Sequence, residues 1–196
     1  MNSTSDIEDP KAVLRRDVVA RRDALPAVTR TATAEILATR PFPLPVAAGM
    51  VVSAFMPLKN ELDPLPLMRK LADEGVRFVL PVVIGRGKPL VMREWAFGEP
   101  LVQGGWGIRE PASTAATADP DILLVPMVAF DRTGHRIGYG AGYFDMTITQ
   151  LRARKQVVAV GLAFAAQEIP AVPATPRDAR LDLVLTERCM IDCRKV

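Results

Sequence analysis

Residues 134–145 read Gly-His-Arg-Ile-Gly-Tyr-Gly-Ala-Gly-Tyr-Phe-Asp and gather glycines, an arginine, both tyrosines of the chain and a carboxylate in one stretch. This mixture suits an anion. Glycine lets backbone N–H groups approach an oxyanion with no Cβ in the way, and the first N–H groups of a helix carry partial positive charge. A short apolar run at residues 122–125, closed by Pro126, precedes the glycines, and a helical pattern at 143–154 follows them, so strand, loop and helix N-terminus come in order. Arg136 adds a planar fork of donors that matches phosphate. Two familiar phosphate motifs are excluded: Gly138, Gly140 and Gly142 are spaced G-x-G-x-G, one residue too tight for the dinucleotide fingerprint, and no G-K-[ST] follows. The plain alternative is a tight turn, but a turn has no need of Arg136, two tyrosines and flanking aspartates.

Other charged residues sit where elements begin or end. Asp9-Pro10 is a helix-start pair, and Lys11 and Arg15 lie four apart on one face of the helix predicted at 11–24, with Arg22 near the same stripe. Taken alone, that stripe is a solvated basic face. Glu61 follows a strand predicted at 50–55. Asp63-Pro64 starts the next helix, so Asp63 has a capping duty and Glu61 has none. Asp178 and Asp182 precede the last strand, and Asp182 suits a turn or strand start. Cys189, Cys193 and the lone His135 are too few for a structural zinc site.

Pro126-x-x-Ala129-Phe130-Asp131, then Gly134-x-Arg136-Ile137-Gly138-Tyr139-Gly140-x-Gly142-Tyr143-Phe144-Asp145, resembles the signature of the 5-formyltetrahydrofolate cyclo-ligase family, also called methenyltetrahydrofolate synthetase. Many members carry lysine where this chain has Ala141 and tyrosine where it has Phe144. Lys11-x-x-Leu14-Arg15, the segment around Glu61, Gly107-Ile108-x-Glu110-Pro111 and residues 177–187 extend the resemblance. It implies ATP- and Mg²⁺-dependent cyclisation of 5-formyltetrahydrofolate to 5,10-methenyltetrahydrofolate, with ADP and phosphate released. It places Lys11, Arg15, Arg136, Ile137, Gly138, Tyr139, Gly140, Ala141, Gly142, Tyr143 and Phe144 at ATP, and Met56, Glu61, Tyr139 and Tyr143 at the folate. It makes Arg136 and Tyr143 catalytic and gives magnesium to Asp145 and Asp178. Two other readings stay open on the residues: a non-catalytic binder of a phosphorylated metabolite or RNA, and a sugar-phosphate enzyme of similar fold. The aspartates argue against RNA, since carboxylates repel phosphate unless a cation intervenes.

The elements that must hold these residues alternate. Helices are predicted at 11–24, 28–39, 65–74 and 143–154, and strands at 50–55, 76–83, 90–97, 122–125 and 157–162, with a last strand near 184. Crossovers of that length favour parallel pairing, so the class is α/β with helices on both faces of a mostly parallel sheet. The resemblance implies one three-layer α/β/α domain of the NagB/RpiA/CoA transferase-like kind over residues 1–196, with 1–9 flexible. A chain of 196 residues, 49% of them apolar, is large enough for one core. The net charge of +3 comes from interleaved acids and bases, which indicates a locally basic cleft for small anions more than a nucleic-acid surface. The polar start offers no signal peptide, and the longest apolar run, 46–58, is broken and too short for a bilayer. A cytoplasmic monomer is therefore expected, with ATP and a folate, polyglutamylated or not, as its partners.

Overall fold

The computed structural model describes residues 9–195, so the segment expected to be flexible lies outside the described residues except for Asp9. Four helices form: α1 Pro10–Asp23, α2 Ala27–Thr39, α3 Leu65–Asp73 and α4 Tyr143–Arg152. The start signals act locally. The Asp9 side chain accepts from Lys11 N at 3.1 Å with Pro10 in the first helical position, and Asp63 Oδ1 accepts from Leu65 N at 2.9 Å.

The strands are β1 Val51–Ser53, β2 Arg77–Val82, β3 Val91–Trp95, β4 Val102–Gln103, β5 Arg109–Glu110, β6 Ile122–Pro126, β7 Ala129–Phe130, β8 Arg136–Ile137, β9 Val158–Leu162, β10 Leu183–Leu185 and β11 Met190–Asp192. Seven of them make one sheet in the order β11-β10-β9-β6-β1-β2-β3. Pairing is parallel from β10 to β2, and only the edge strands β11 and β3 run antiparallel. The mostly parallel α/β sheet is thus as the alternation predicts. The pairs β4–β5 and β7–β8 stand apart from it; two-residue strands are too short to leave a periodic pattern.

Both faces of the sheet are covered, which explains its near-continuous apolar strands. Val52, Phe78, Leu80, Leu124, Val160 and Leu183 point to one side and pack with Leu37 of α2 and Leu67, Met68 and Leu71 of α3. The alternate residues Val79, Leu123, Val125, Ala159 and Val184 pack on the other side with Ile148 and Leu151 of α4. Each fully buried leucine such as Leu124 contributes about 2 kcal/mol. Helix α1 does neither job. Its Val18 joins Val128, Ala129, Ile137, Ile169 and Val172 in a third cluster beyond the sheet, and so the helix is held over the loops that leave it. Among the described residues no helix is long and apolar enough to cross a membrane.

Candidate active site

Neighbouring strands β1 and β6 define the site, because the chain goes from β1 to β2 on one side and from β6 to β9 on the other. In open α/β sheets the crevice beyond such a reversal takes the ligand. The segment after β1 carries Met56 and Glu61; the segment after β6 carries the hairpin β7–β8 and then the glycine loop.

Asp131 builds that hairpin. Its Oδ1 accepts from Thr133 N at 2.9 Å, Thr133 Oγ1 at 2.6 Å and His135 N at 3.2 Å, and its Oδ2 accepts from Val172 N at 2.8 Å. Burial works against the charge, yet these hydrogen bonds outweigh it and hold the carboxyl below its ordinary range. Gly134, at the hairpin turn, has φ +89°, and a Cβ there would stand 2.5 Å from Leu181 O. It serves close packing against the segment before β10. Gly138 and Gly142, by contrast, have open space where a Cβ would stand, and a small hairpin lies between the strand β6 and the glycine loop.

The first half of the site is a charged lattice. Arg136, 5% exposed, donates from NH1 to Ala179 O at 2.6 Å and pairs through NH2 with Asp145 Oδ1 at 2.9 Å. Burial pulls its pKa down, and Asp145 opposes that. The same Asp145 oxygen accepts from Ala179 N at 3.0 Å. Asp178 Oδ2 takes Lys11 Nζ at 2.6 Å and the backbone N and hydroxyl of Thr175 at 2.6 and 2.9 Å. Arg15 Nε donates to Gly138 O at 2.8 Å, and its guanidinium lies 3.7 Å from where a Gly140 Cβ would be. Gly142, at φ +68°, precedes the first turn of α4 and offers its N–H groups no side-chain cap.

The second half surrounds Glu61. Its Oε2 accepts from Leu58 N at 2.7 Å, and the residue is 9% exposed. Burial raises its pKa, against the lowering influence of Leu58 N–H, the Tyr139 hydroxyl and Arg22. Glu61 also lines a pocket of about 280 Å³ with Pro57, Lys59, Asp63 and the α2 residues Arg30, Thr31 and Glu35. Met56, half-buried, packs against the apolar face next to it. Tyr139 leaves its ring half exposed while its hydroxyl turns inward; burial and Glu61 push its pKa up to about 12, with Arg22 opposing.

Tyr139 belongs to the glycine loop and touches the Glu61 cluster, so it joins the two halves. Lys11, Arg15, Gly138, Gly140, Arg136, Asp145 and Asp178 gather on one side of it, and Glu61 and Arg22 on the other. Three predicted residues stand differently. Ile137 has its side chain in the α1 cluster at 1% exposure, leaving only backbone to the loop, and Tyr143 and Phe144 pack against the α4 face of the core. Ala141 is exposed. Arg22 was visible in the sequence as part of the Lys11–Arg15 stripe but not as a site residue, because nothing in the spacing shows that this end of the helix is buried.

The carboxylates suit a hard cation. Asp145 and Asp178 both act on Arg136, and the contacts given above use only Asp145 Oδ1 and Asp178 Oδ2. Among the described residues no three His, Cys, Asp or Glu gather as a metal cage. Hard cations such as magnesium take carboxylate oxygens, usually one or two of them, and complete their shell with substrate oxygens and water.

Comparison with known proteins decides the family. The model of the 5-formyltetrahydrofolate cyclo-ligase family matches residues 7–187. The chain belongs to this family. A 5-formyltetrahydrofolate cyclo-ligase of Mycolicibacterium smegmatis is 33% identical over 186 residues, covering 91% of this chain and 94% of that protein. The structure of a 5,10-methenyltetrahydrofolate synthetase from Aquifex aeolicus is similar at a TM-score of 0.76 and 28% identity, covering 94% of this chain and 93% of that one. A synthetase of the same description from Mycoplasma pneumoniae, 23% identical, shares the fold at a TM-score of 0.71 over 91% of this chain and 99% of its own. Of the readings left open by the residues, the cyclo-ligase one is therefore retained, and the signature segment falls at the crevice beyond β1 and β6.

Proposed function

We propose that the chain closes 5-formyltetrahydrofolate to 5,10-methenyltetrahydrofolate with ATP, releasing ADP and phosphate. The observation that carries the reading is Tyr139, which joins an anion lattice and a buried carboxylate pocket in a member of this family. A formamide carbonyl is a poor electrophile, and its oxygen is a poor leaving group. Phosphorylating that oxygen removes both difficulties: the formyl oxygen attacks the γ-phosphorus and ADP leaves, N10 then adds to the activated carbon, and phosphate departs.

Phosphoryl transfer asks mainly for position and charge. Lys11, Arg15 and Arg136 supply cations, and the N–H groups from Gly138 to Phe144 supply donors. Asp145 and Asp178 would hold Mg²⁺, which contributes positive charge at the ATP phosphates. Arg136, fixed on both sides by Asp145 and Ala179 O, is rigid enough to favour a developing charge rather than follow it. Glu61 and Tyr139 orient the folate beside Met56. We further infer a monomer and a cytoplasmic place of work. The deciding assay is ATP hydrolysis in the presence of magnesium. It should appear only when 5-formyltetrahydrofolate is added and should match methenyl product one for one. Hydrolysis without folate, or none with it, would sink the reading.

A further inference from the structure

Arg22 is a charged side chain to which the mechanism gives no task. It lies in the last turn of α1 at 1% exposure, one of the largest fully buried side chains of the protein. A guanidinium is taken out of water only where its donors are met. Nε and NH2 each reach Asp23 Oδ1 at 2.9 Å, and NH1 reaches the Tyr139 hydroxyl at 2.9 Å. The Asp23 pair alone does not require burial, because the Asp23 side chain is 35% exposed and the two residues are neighbours at a helix end. The inward contact is the one to Tyr139.

Donor counting gives that contact a direction. Arginine has no acceptor, so the Tyr139 oxygen must accept from NH1, and the single phenolic proton is left for another partner. The neighbour is Glu61: its charge and its hydrogen bond with the phenol favour the protonated Tyr139, and the Tyr139 hydroxyl in turn favours the ionised Glu61. We propose that Arg22 is a positioning residue: by donating to Tyr139 it aims the phenolic proton at Glu61 and thereby couples the glycine loop to the Glu61 pocket. Arg15 makes the other tie from α1 to this loop, at Gly138 O, so the helix holds the loop at both ends of one dipeptide. The role rests on the reading that Glu61 meets the folate and the loop meets ATP.

The test uses the full chain and the variants Arg22→Gln, Tyr139→Phe and their combination. Isotope-labelled glutamate reports the titration of Glu61 by NMR in the ligand-free protein. The other charged groups lining that pocket, Arg30, Glu35, Lys59 and Asp63, are left in place. Each single substitution should move the Glu61 titration upward, because each removes an influence that favours its ionised form. Each should also raise the KM for 5-formyltetrahydrofolate about tenfold, the scale of one charge-assisted hydrogen bond. The double variant should be no worse than Arg22→Gln, since the two act as one unit. An unmoved Glu61 titration in both single variants, or additive KM effects, overturns the proposal. If Arg22→Gln does not fold, Tyr139→Phe decides by the titration alone. Because the titration is read without substrate, it is independent of whether 5-formyltetrahydrofolate turns over.

Discussion

Lys11 Nζ lies 2.6 Å from Asp178 Oδ2, an ion pair between residues 167 positions apart that pins the start of α1 to the segment before β10. It joins the lysine assigned to ATP with a carboxylate assigned to magnesium, and at 19% and 16% side-chain exposure it is only partly wet. The pair has a consequence in acid. Burial favours the neutral Asp178, yet the bonds from Lys11 and Thr175 outweigh it and hold the carboxyl below its ordinary value. A group depressed in the folded state adds stability above its unfolded value and loses it as pH falls through the folded one. Lys11→Ala should therefore unfold at a less acidic midpoint, followed by circular dichroism. The same variant should raise the KM for ATP by roughly 10- to 100-fold and that for folate far less. An unchanged ATP KM would return Lys11 to the solvated face.

Glu61 combines a function with a strain on folding. Its pKa is raised by burial, so between the ordinary glutamate value and the raised one the folded state holds more protons than the unfolded state. Stability from this group therefore falls as pH rises through that window and is level above it. Glu61→Gln keeps an oxygen for Leu58 N and removes the buried charge. We expect a higher melting temperature at neutral pH together with a loss of roughly tenfold or more in kcat/KM for the folate. A variant that lost stability and kept its folate kinetics would place Glu61 among structural residues.

The sequence made the frame legible for a physical reason: strands buried on both faces must be apolar throughout, and helices carried caps such as Asp9 and Asp63. It also singled out Glu61, as a charge with no capping duty, and Arg136, as a charge that a plain turn does not need. Lys11 taken alone reads as part of a solvated face and is drawn to the site by the family resemblance. What it could not show was which charges face inward. Arg15 and Arg22 read alike on one helix stripe, yet Arg22 is fully buried, and the groups that meet it there, Tyr139 by a hydrogen bond and Glu61 by its charge, come from distant parts of the chain. Gly134 read like Gly140, and only the approach of Leu181 separates a packing glycine from one open to a ligand.

Asp131 belongs to the signature segment, but among the described residues its four side-chain hydrogen bonds all close the hairpin and fasten residue 172. Asp131→Ala should thus destabilise by about 3 kcal/mol, from several donors left unmet in a buried place. Material that remains folded at low temperature should keep a near-normal KM for ATP. A fall in kcat/KM with unchanged denaturant midpoint would give Asp131 a direct part in the site.

Asp145 and Asp178 are brought together around Arg136, with Ala179 N on Asp145 placing the backbone of one next to the carboxylate of the other. Their plain roles differ: Asp145 is a favourable charge in the first turn of α4, and Asp178 closes a turn with Thr175. Those roles are independent, so on them alone the effects of Asp145→Asn and Asp178→Asn would add. A shared magnesium ion makes the opposite forecast. Either substitution should raise the magnesium concentration needed for half-maximal turnover, and the double variant should be far less than additive, because a joint ligand set fails at its first loss. Thermal melting of the same variants supplies the control, since the helix charge and the turn would add there whether or not a metal is held. Additive losses in the magnesium titration would leave Asp145 as the partner of Arg136 and move the ion elsewhere.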